Sequence, residues 1–594
     1  MKKYIYKIFS LLLLIGVMTS CEDKLLTTVN PNSMTDVSFW KSKSDFDKGL
    51  NALYGSLQLP SISGTGLTYE ILRSDLAGTE AWYGVQQTFT TLRYNDGTEY
   101  VNSRWSQLYV GIFRANQILH QVEAVKNGIL SADEKTLISA QCKFVRGFCY
   151  FWLANGYNGA VIHNALPISP EDMHKPFSDK KVVLEEMVIP DLTAAAEGLP
   201  IEWTDSKDLG RYTKGAALAM LGKTYLFEKK FTEAQKFFKE VIDLGIYSLV
   251  PNYMDNFTTD NEFNAESVLE ISFSDGFKPG TNGGNHDEVD GSEATGIASS
   301  FCTLYAGGWN STLPTYSCQE LFVSGEEMDP NNPWTATHLR SMRTYATLVV
   351  EFADGDYYKA PLTPFKDPET GKLIQSKANF NYGQSSKIKK WTQWDRVETE
   401  DASTGCRTGI NYRAIRYADV LLMYAETLLE TNKLDEAIAI IDQVRERAGV
   451  IKLSDYMANN AGKIPQLHIS GYANGTAGDY SYVTADVNNV KTHLRMVERV
   501  AELAFEGHRW YDLVRWGIGK EVFDLRWEEE KKLRIHLCGG VDNQTIPATW
   551  TKEYPLYLNE RVRPDFQNRS EGYSSAAHDY FPIPTCEKGS NMNL

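Results

Sequence analysis

The chain has 594 residues, with 76 acidic and 60 basic side chains and a formal net charge of -16. Residues 1–20 carry three lysines and no acids, so without them the net charge becomes -19. A protein this acidic is a poor candidate for binding nucleic acid or an anionic lipid surface, because both require basic patches. A neutral ligand such as a sugar is unaffected by this charge.

The N-terminus has the pattern of an export signal. Three lysines precede a short apolar stretch at residues 8–17, and a membrane-spanning helix would need about 20 apolar residues. We therefore predict a cleaved signal peptide over residues 1–20. Met18-Thr19-Ser20-Cys21 resembles a bacterial lipobox, with Cys21 as the lipidated residue, and Glu22-Asp23 resembles the acidic surface-export tag of Bacteroidetes lipoproteins. The alternative is an ordinary signal peptide followed by an incidental cysteine.

Three stretches have strong helical periodicity. The first covers residues 105–125 and is followed by an aromatic-rich helix at 140–157; the others are 215–244 and 418–448. The last two match the tetratricopeptide pattern of two antiparallel helices. About 200 residues separate them, whereas a continuous solenoid would place them side by side. We therefore expect the helix pairs to meet in space around long excursions.

The excursions are the expected place for ligand binding. Residues 251–413 are rich in Gly, Asn, Asp and aromatics, and include a flexible-looking segment at 276–296. Residues 454–489 form a second excursion. Long loops in compact proteins are usually functional or contain small elements of their own.

The cysteines other than Cys21 predict neither a zinc site nor a disulfide framework, because no C-x-x-C pair and no zinc-finger spacing occurs. Cys142 and Cys149 share a helical face two turns apart, about 10 Å. Disulfides need Cα atoms closer than about 7 Å, so both are predicted to be buried free thiols.

Several motifs together resemble the SusD/RagB family. The stretch from Glu498 to Gly517, with its Phe-Glu-Gly-His-Arg-Trp-Tyr-Asp-Leu-Val-Arg-Trp core, is similar to that family's hallmark. Further similar segments are Ser74-Asp75 to Glu80, the run from Arg416 to Glu426, Phe581-Pro-Ile-Pro, and the final Asn-Met-Asn-Leu. The resemblance covers essentially the whole chain after the signal.

The resemblance implies a mainly α fold, with four tetratricopeptide-like helix pairs on one side and a loop-rich ligand face on the other. It implies one structural body built from an N-terminal helical region (21–250) and a C-terminal region (251–594). It also implies an outer-membrane, lipid-anchored protein that binds a glycan, or in some branches a peptide, and hands it to a SusC-like TonB-dependent transporter. No cofactor, no metal and no catalysis are implied.

The hallmark stretch at 498–517 is predicted to be one helix. Glu506 with Arg509 and Asp512 with Arg515 are three residues apart and within side-chain reach. Glu502, Glu506 and His508 could be interpreted as an acid–base or metal cluster. We favour a structural helix in the repeat bundle, because Glu-x-x-x-Glu-x-His is not a metal-ligand set and no H-E-x-x-H occurs.

A glycan site needs flat aromatic platforms on loops, with polar side chains to bond hydroxyls in the ring plane. Two loop clusters qualify, and one further Trp lies in a turn-like context. The candidate ligand-binding residues are Trp82, Tyr83, Tyr305, Trp309, Asn310, Tyr316 and Trp334. The alternative for each aromatic is a buried loop side chain. Trp391 and Trp394 could be platforms or a short element's face, whereas Trp105, Trp152, Trp510 and Trp516 are assigned to the core.

Two other function classes are alternatives to a glycan-binding protein. A glycoside hydrolase needs two carboxylates placed across the glycosidic bond. Because the chain has 76 acidic residues, two can always be nominated, so their presence is no evidence for catalysis. No nucleophile elbow, P-loop or dinucleotide-binding glycine motif occurs. A pure interaction scaffold that uses the repeat helices is compatible with ligand binding, and the loop aromatics distinguish the two roles.

Overall fold

The computed structural model describes residues 39–276, 293–350, 355–380, 384–400, 408–471, 478–543, 545 and 561–594. The predicted signal peptide, the lipidation site Cys21 and most of segment 276–296 lie outside the described residues. Within the described part, no helix combines the length and apolar character needed to cross a bilayer.

Helix is the dominant element, at 54%, which confirms the mainly α class. The described helices of ten or more residues are α1 (Lys43–Gly55), α2 (Glu99–Ala124), α3 (Ala132–Tyr157), α4 (Ile189–Gly198), α5 (Lys214–Phe227), α6 (Phe231–Asp243), α7 (Tyr417–Glu430), α8 (Leu434–Ala448) and α9 (Gly519–Leu537). Shorter α-helices are Pro60–Ser63, Leu67–Arg73, Gly84–Thr90, Lys180–Val183, Ile297–Phe301, Tyr316–Glu320, Met342–Thr347, Leu453–Asn459, Val487–His493, Arg499–Leu503, Arg509–Trp516, Gln567–Gly572, Ser575–His578 and Thr585–Ser590. Single π-helical turns lie at Leu184–Val188, Leu321–Gly325 and Leu494–Glu498.

The strands of the described residues form two-stranded antiparallel sheets. The pairs are Ala77–Gly78 with Leu313–Pro314, Gly159–Val161 with Phe177–Asp179, Ser267–Ile271 with Tyr412–Arg416, Leu348–Val350 with Ser386–Ile388, Asp356–Tyr357 with Ala360–Pro361, Phe365–Lys366 with Leu373–Ile374, and Lys463–Pro465 with Tyr482–Thr484. Ser267–Ile271 and Tyr412–Arg416 lie near the two ends of the first excursion, so their pairing closes it at its base.

The helices predicted from periodicity at 105–125, 140–157, 215–244 and 418–448 are confirmed, and local capping explains the limits of α3. Helix α3 begins after a capping box in which the Ser131 hydroxyl accepts from the Glu134 N–H (3.2 Å) and the Glu134 carboxylate accepts from the Ser131 N–H (2.8 Å). It ends at Asn158, whose φ of +59° leaves the helix through the left-handed region. Cys142 and Cys149 on α3 are buried free thiols, as predicted.

The two repeat pairs pack together despite their separation in sequence. Helices α5 and α6 form one antiparallel pair and α7 and α8 the other, and α6 lies against α7. The prediction that the pairs meet around a long excursion is therefore confirmed.

The contact between α5 and α6 depends on a glycine. A Cβ on Gly222 would lie 2.6 Å from Cε1 of Phe238, which is fully buried on α6. We expect Gly222→Ala to lower the free energy of unfolding by about 1–3 kcal/mol through overpacking, measured by urea denaturation. Gly156→Ala in α3 is the matched control, because a Cβ there meets nothing within 4 Å. Equal stability of the two variants would contradict the close approach.

The prediction of a single helix over 498–517 is wrong. Helix Arg499–Leu503 ends before Phe505 and Gly507, whose φ values are +63° and +87°, and a new helix begins at Arg509. The Asp512–Arg515 pair is confirmed, with 2.8 Å between carboxylate oxygen and guanidinium nitrogen. The Glu506–Arg509 pair is not formed, because the break turns these side chains apart.

The two residues have other buried partners instead. Arg509 makes a two-pronged ion pair with Asp75, at 2.7 and 2.9 Å. Glu506 is bound by Arg416 (2.8 Å) and Lys390 (2.9 Å), all three side chains being inaccessible to solvent. Within the described residues, no group of three or more His, Cys, Asp or Glu is arranged to hold a metal ion.

Candidate ligand-binding site

A very short sheet joins two loops that are far apart in sequence. Ala77 pairs with Pro314 and Gly78 with Leu313. Side-chain and backbone bonds extend this junction: the Thr79 hydroxyl donates to the Ser311 carbonyl (2.6 Å) and the Thr315 N–H donates to the Leu76 carbonyl (2.9 Å). The junction places the loop that carries Trp82 beside the loop that carries Trp309.

The second loop is compact because its backbone folds onto the preceding helix. The Trp309 N–H donates to the Ser299 carbonyl (2.6 Å), and the Gly308 N–H donates to the Thr303 carbonyl (2.9 Å). Gly308 lies so close to Cys302 that a Cβ there would overlap the sulfur. Gly307, with φ +86°, makes the turn. The loop is thereby fixed in one conformation with its aromatic rings outside.

The two joined loops carry four aromatic side chains, which we call the aromatic patch: Trp82, Tyr83, Tyr305 and Trp309. The exposed fractions are 63% for Trp82, 62% for Tyr305 and 43% for Trp309. Tyr83 is half-buried, its ring centroid 6.1 Å from that of Trp82, and its hydroxyl donates to the Trp309 carbonyl. Burial raises the pKa of Tyr83, so the hydroxyl stays protonated as the donor that joins the two loops.

A polar chain lies beneath the patch. The Asn310 amide nitrogen donates to the Gln384 side-chain oxygen (2.9 Å), and the Gln384 amide nitrogen donates to a Glu80 oxygen (2.7 Å). Lys387 donates to the same Gln384 oxygen, and Arg561 pairs with the other Glu80 oxygen. Gln384 and Lys387 were not among the sequence candidates. Both come from a non-periodic stretch of the first excursion, so neither their residue type nor their spacing indicated that they belong to the site.

The buried position of Lys387 in this hydrogen-bonded chain leads us to expect that the stability of the protein depends on pH. Burial and, to a smaller extent, the Arg563 guanidinium lower its pKa to about 7, whereas Glu80 opposes the shift. An unfolded lysine has a pKa of about 10.4, so between about pH 7 and pH 10 the unfolded chain holds a proton that folded Lys387 has lost. The contribution of Lys387 to stability therefore rises as pH increases from about 7 to about 10 and is lost as pH falls back from 10 to 7; below pH 7 both states hold the proton and the contribution no longer changes.

We expect Lys387→Met to have a free energy of unfolding that rises less between pH 7 and pH 10 than that of the wild type, measured by urea denaturation at each pH. Lys366→Met, on an exposed strand, is the control and should keep the wild-type slope. An unchanged slope in Lys387→Met would mean that Lys387 stays charged in the folded protein.

The expectation that Tyr316 offers an exposed platform is wrong. Its side chain is 7% exposed and its hydroxyl donates to the Arg526 carbonyl (2.9 Å). The cause is local: Thr315 caps helix Tyr316–Glu320 with its hydroxyl and donates to the Asp75 carbonyl, which turns the following ring inward.

The remaining tryptophan candidates lie outside the patch. Trp334 is half-buried, stacks on His338 with centroids 3.4 Å apart, and donates from its indole N–H to the Arg340 carbonyl (2.6 Å). It lies in a short turn beside Gly449 at the end of α8. Trp391 and Trp394 are buried, so neither is a surface platform.

Comparisons with known families agree with this architecture. Residues 265–594 match the family model described as the SusD family, and residues 28–226 match the one described as starch-binding associating with outer membrane. Residues 215–244, which cover α6 and all of α5 but its first residue, match a tetratricopeptide repeat.

Similar proteins cover nearly the whole chain. A SusD-like protein P2 from Formosa agariphila is 26% identical over 534 residues, 88% of this chain and 92% of the relative. A solved SusD superfamily protein from Bacteroides vulgatus has a TM-score of 0.68 and 23% identity, covering 93% of this chain and 98% of that one. Surface glycan-binding protein A from Bacteroides thetaiotaomicron, solved with laminarihexaose, has a TM-score of 0.61 and 16% identity, covering 93% and 98%. Structural matches at these identities establish a shared fold.

Proposed function

This chain belongs to the SusD family, and from that premise we propose that it is a glycan-binding protein associated with the bacterial outer membrane, which captures an oligo- or polysaccharide without cleaving it. The observation that carries the proposal is the aromatic patch, in which Trp82, Tyr305 and Trp309 are exposed on two loops that a short sheet and the Tyr83 hydroxyl join to each other. Large aromatic side chains rarely remain this exposed in a cluster unless they bind something.

The chemistry of the patch favours a sugar. Sugar rings present C–H faces that pack on aromatic rings, and hydroxyls that bond polar side chains at the ring edge. The strongly negative charge of the chain does not oppose a neutral glycan. A relative of the same fold was solved with laminarihexaose, a glucan oligosaccharide, which supports a glycan for this chain as well.

We propose that the protein retains the bound glycan without cleaving its glycosidic bonds. Glu80 is the buried acid of the polar chain, and both of its oxygens are already engaged, one by Gln384 and one by Arg561. A carboxylate in this state is not available to protonate a glycosidic oxygen or to attack a sugar.

We further propose that the protein is anchored by a lipid on Cys21 and passes its ligand to a SusC-like TonB-dependent transporter. The lipobox-like sequence before Cys21 and the family membership support this arrangement. A binder tethered by acyl chains stays at the membrane without spanning it, where a transporter can receive the captured glycan.

The test is affinity electrophoresis of the chain from Glu22 onward in gels containing laminarin, starch, mannan, xylan or pectin. We expect retardation by one glycan class and, after incubation, no shortened products by chromatography. Shortened products would make the protein a hydrolase. Absence of retardation in every gel would overturn the glycan proposal in favour of a peptide ligand, tested next with a peptide library.

A further inference from the structure

A cleft lies next to the aromatic patch, and none of its lining residues is among the sequence candidates. This cleft has a volume of about 490 Å³ and lies between helices Leu67–Arg73 and Gly84–Thr90 and the start of α2. Val85 and Thr88 line it from helix Gly84–Thr90, which begins directly after Trp82 and Tyr83. The helix has seven residues, about 10 Å, so the patch and the cleft are separated by a short distance along the surface.

A second element also connects the two features. Thr65 lines the cleft, and its methyl group lies 3.1 Å from the position that a Cβ on Gly296 would occupy. Gly296 directly precedes helix Ile297–Phe301, which leads into the loop of Tyr305 and Trp309. Each of the two loops of the patch is therefore connected to a segment that lines the cleft.

The floor of the cleft is aromatic. Tyr69 is half-buried, with its ring 4.5 Å from that of Phe89 and 4.9 Å from that of Tyr100. Phe89 and Tyr100 are buried behind it, so Tyr69 is the ring whose remaining exposed surface faces the cleft. Its position is fixed by these two neighbours, which makes it a rigid platform.

The rim of the cleft is polar. Arg93, Asn95 and Glu99 line it and are exposed. Among the described residues, the side chains of Arg93 and Glu99 form no hydrogen bond or ion pair with each other or with a third residue, so their donors and acceptors are available to a ligand. An aromatic floor with donors and an acceptor at the rim matches a sugar ring, and the volume falls within the range of about 300–1,000 Å³ typical of small-molecule sites.

We infer that this cleft is a second saccharide subsite, which holds sugar units of the same glycan chain whose other units pack on the aromatic patch. The inference rests on the proposed function. It assigns the Tyr69 ring as the platform, with Arg93 and Glu99 bonding hydroxyls at its edge, and it makes the protein selective for chains long enough to reach both places.

Crystals of the full chain after the signal are soaked separately with hexasaccharides of β-1,3-glucose, α-1,4-glucose, β-1,4-glucose and β-1,4-mannose. The expected result is one hexasaccharide with units on Trp82 or Trp309 and further units over Tyr69. A sugar seen only at the aromatic patch would overturn the subsite and leave the proposed function intact. Absence of sugar at both places with all four would overturn both.

A second test measures saccharide affinity in solution for Thr88→Trp, whose indole fills the cleft without altering the patch. The control is Gln86→Trp on the same helix, since Gln86 does not line the cleft. We expect Thr88→Trp to weaken hexasaccharide binding about tenfold, the effect of losing one aromatic contact, and to leave binding of the matching disaccharide unchanged. Equal hexasaccharide affinities of the two variants would overturn the subsite.

Discussion

Replacing Trp82 and Trp309 together with alanine is expected to weaken glycan binding by about 30-fold or more, while the protein remains folded. Trp82 is 63% exposed and Trp309 43%, so their removal opens no enclosed cavity, whereas we expect each to supply one of the flat faces on which a sugar ring packs. Loss of about 2 kcal/mol of contact energy corresponds to this factor. The measurement is isothermal titration with the polysaccharide that retards the wild type in the gel screen.

The matched control removes exposed aromatics elsewhere. Phe113 on α2 and Tyr482 on a surface strand are 47% and 43% exposed, comparable to Trp309. Phe113→Ala with Tyr482→Ala should bind the polysaccharide as the wild type does. Tyr83→Phe, which removes only the hydroxyl that donates to the Trp309 carbonyl, should weaken binding by a smaller factor.

Two outcomes would contradict this site. If the double Trp variant bound the polysaccharide with wild-type affinity, the ligand would lie elsewhere on the loop face. If it kept its affinity but no longer co-purified with a transporter barrel, the aromatic patch would be a protein interface, and the scaffold role would be the main one.

The helical scaffold could be predicted from sequence because its signals are local. Periodicity and the alternation of small and large residues, such as Gly222 and Phe238, define an antiparallel pair within some thirty positions. The meeting of α6 with α7 followed from the same pattern, since two incomplete repeat units bury their faces best against each other.

The candidate site was only partly predictable, because long-range contacts decide which loop aromatics are exposed. Trp309 and Tyr316 are seven residues apart in one excursion, but Trp309 is exposed and Tyr316 is buried. The difference follows from the Thr315 bond to the Asp75 carbonyl and from the two-residue pairing of Ala77–Gly78 with Leu313–Pro314. Strands of two residues have no periodicity, so nothing in the sequence predicts that junction.

Long-range contacts also explain why the predicted ion pair between Glu506 and Arg509 is wrong. Three-residue spacing predicts a pair with Arg509 only if the helix is continuous, but Phe505 and Gly507 adopt positive φ. The break frees Glu506 to reach Arg416, which lies 90 positions earlier in the chain. Three-residue spacing therefore does not predict an ion pair where the helix is interrupted and a residue from another element can form the pair instead.

Arg416→Met is expected to lower the free energy of unfolding by about 3–5 kcal/mol, because it leaves buried carboxylates with too few partners. The Arg416 guanidinium is fully buried and bonds both oxygens of Glu506 (2.8 and 2.9 Å) and one of Glu502 (3.0 Å), and it also pairs with Glu266. Lys390 and Arg447 remain nearby but supply only two charges for three carboxylates, and Arg343, which lies 3.7 Å from Glu502, is already paired with Glu326 and Glu498. The measurement is urea denaturation at pH 7.

A double-mutant cycle separates loss of the pair from loss of packing. Glu506→Gln alone should also destabilise the fold, but Arg416→Met with Glu506→Gln should cost less than the sum of the two, because removing one positive and one negative charge together leaves fewer unpaired groups. Lys43→Met, which breaks an exposed pair with Asp47 on α1, should have no measurable effect. Strict additivity of the two buried substitutions would mean that they act independently, and that the hallmark stretch is held by apolar packing instead of by its buried charges.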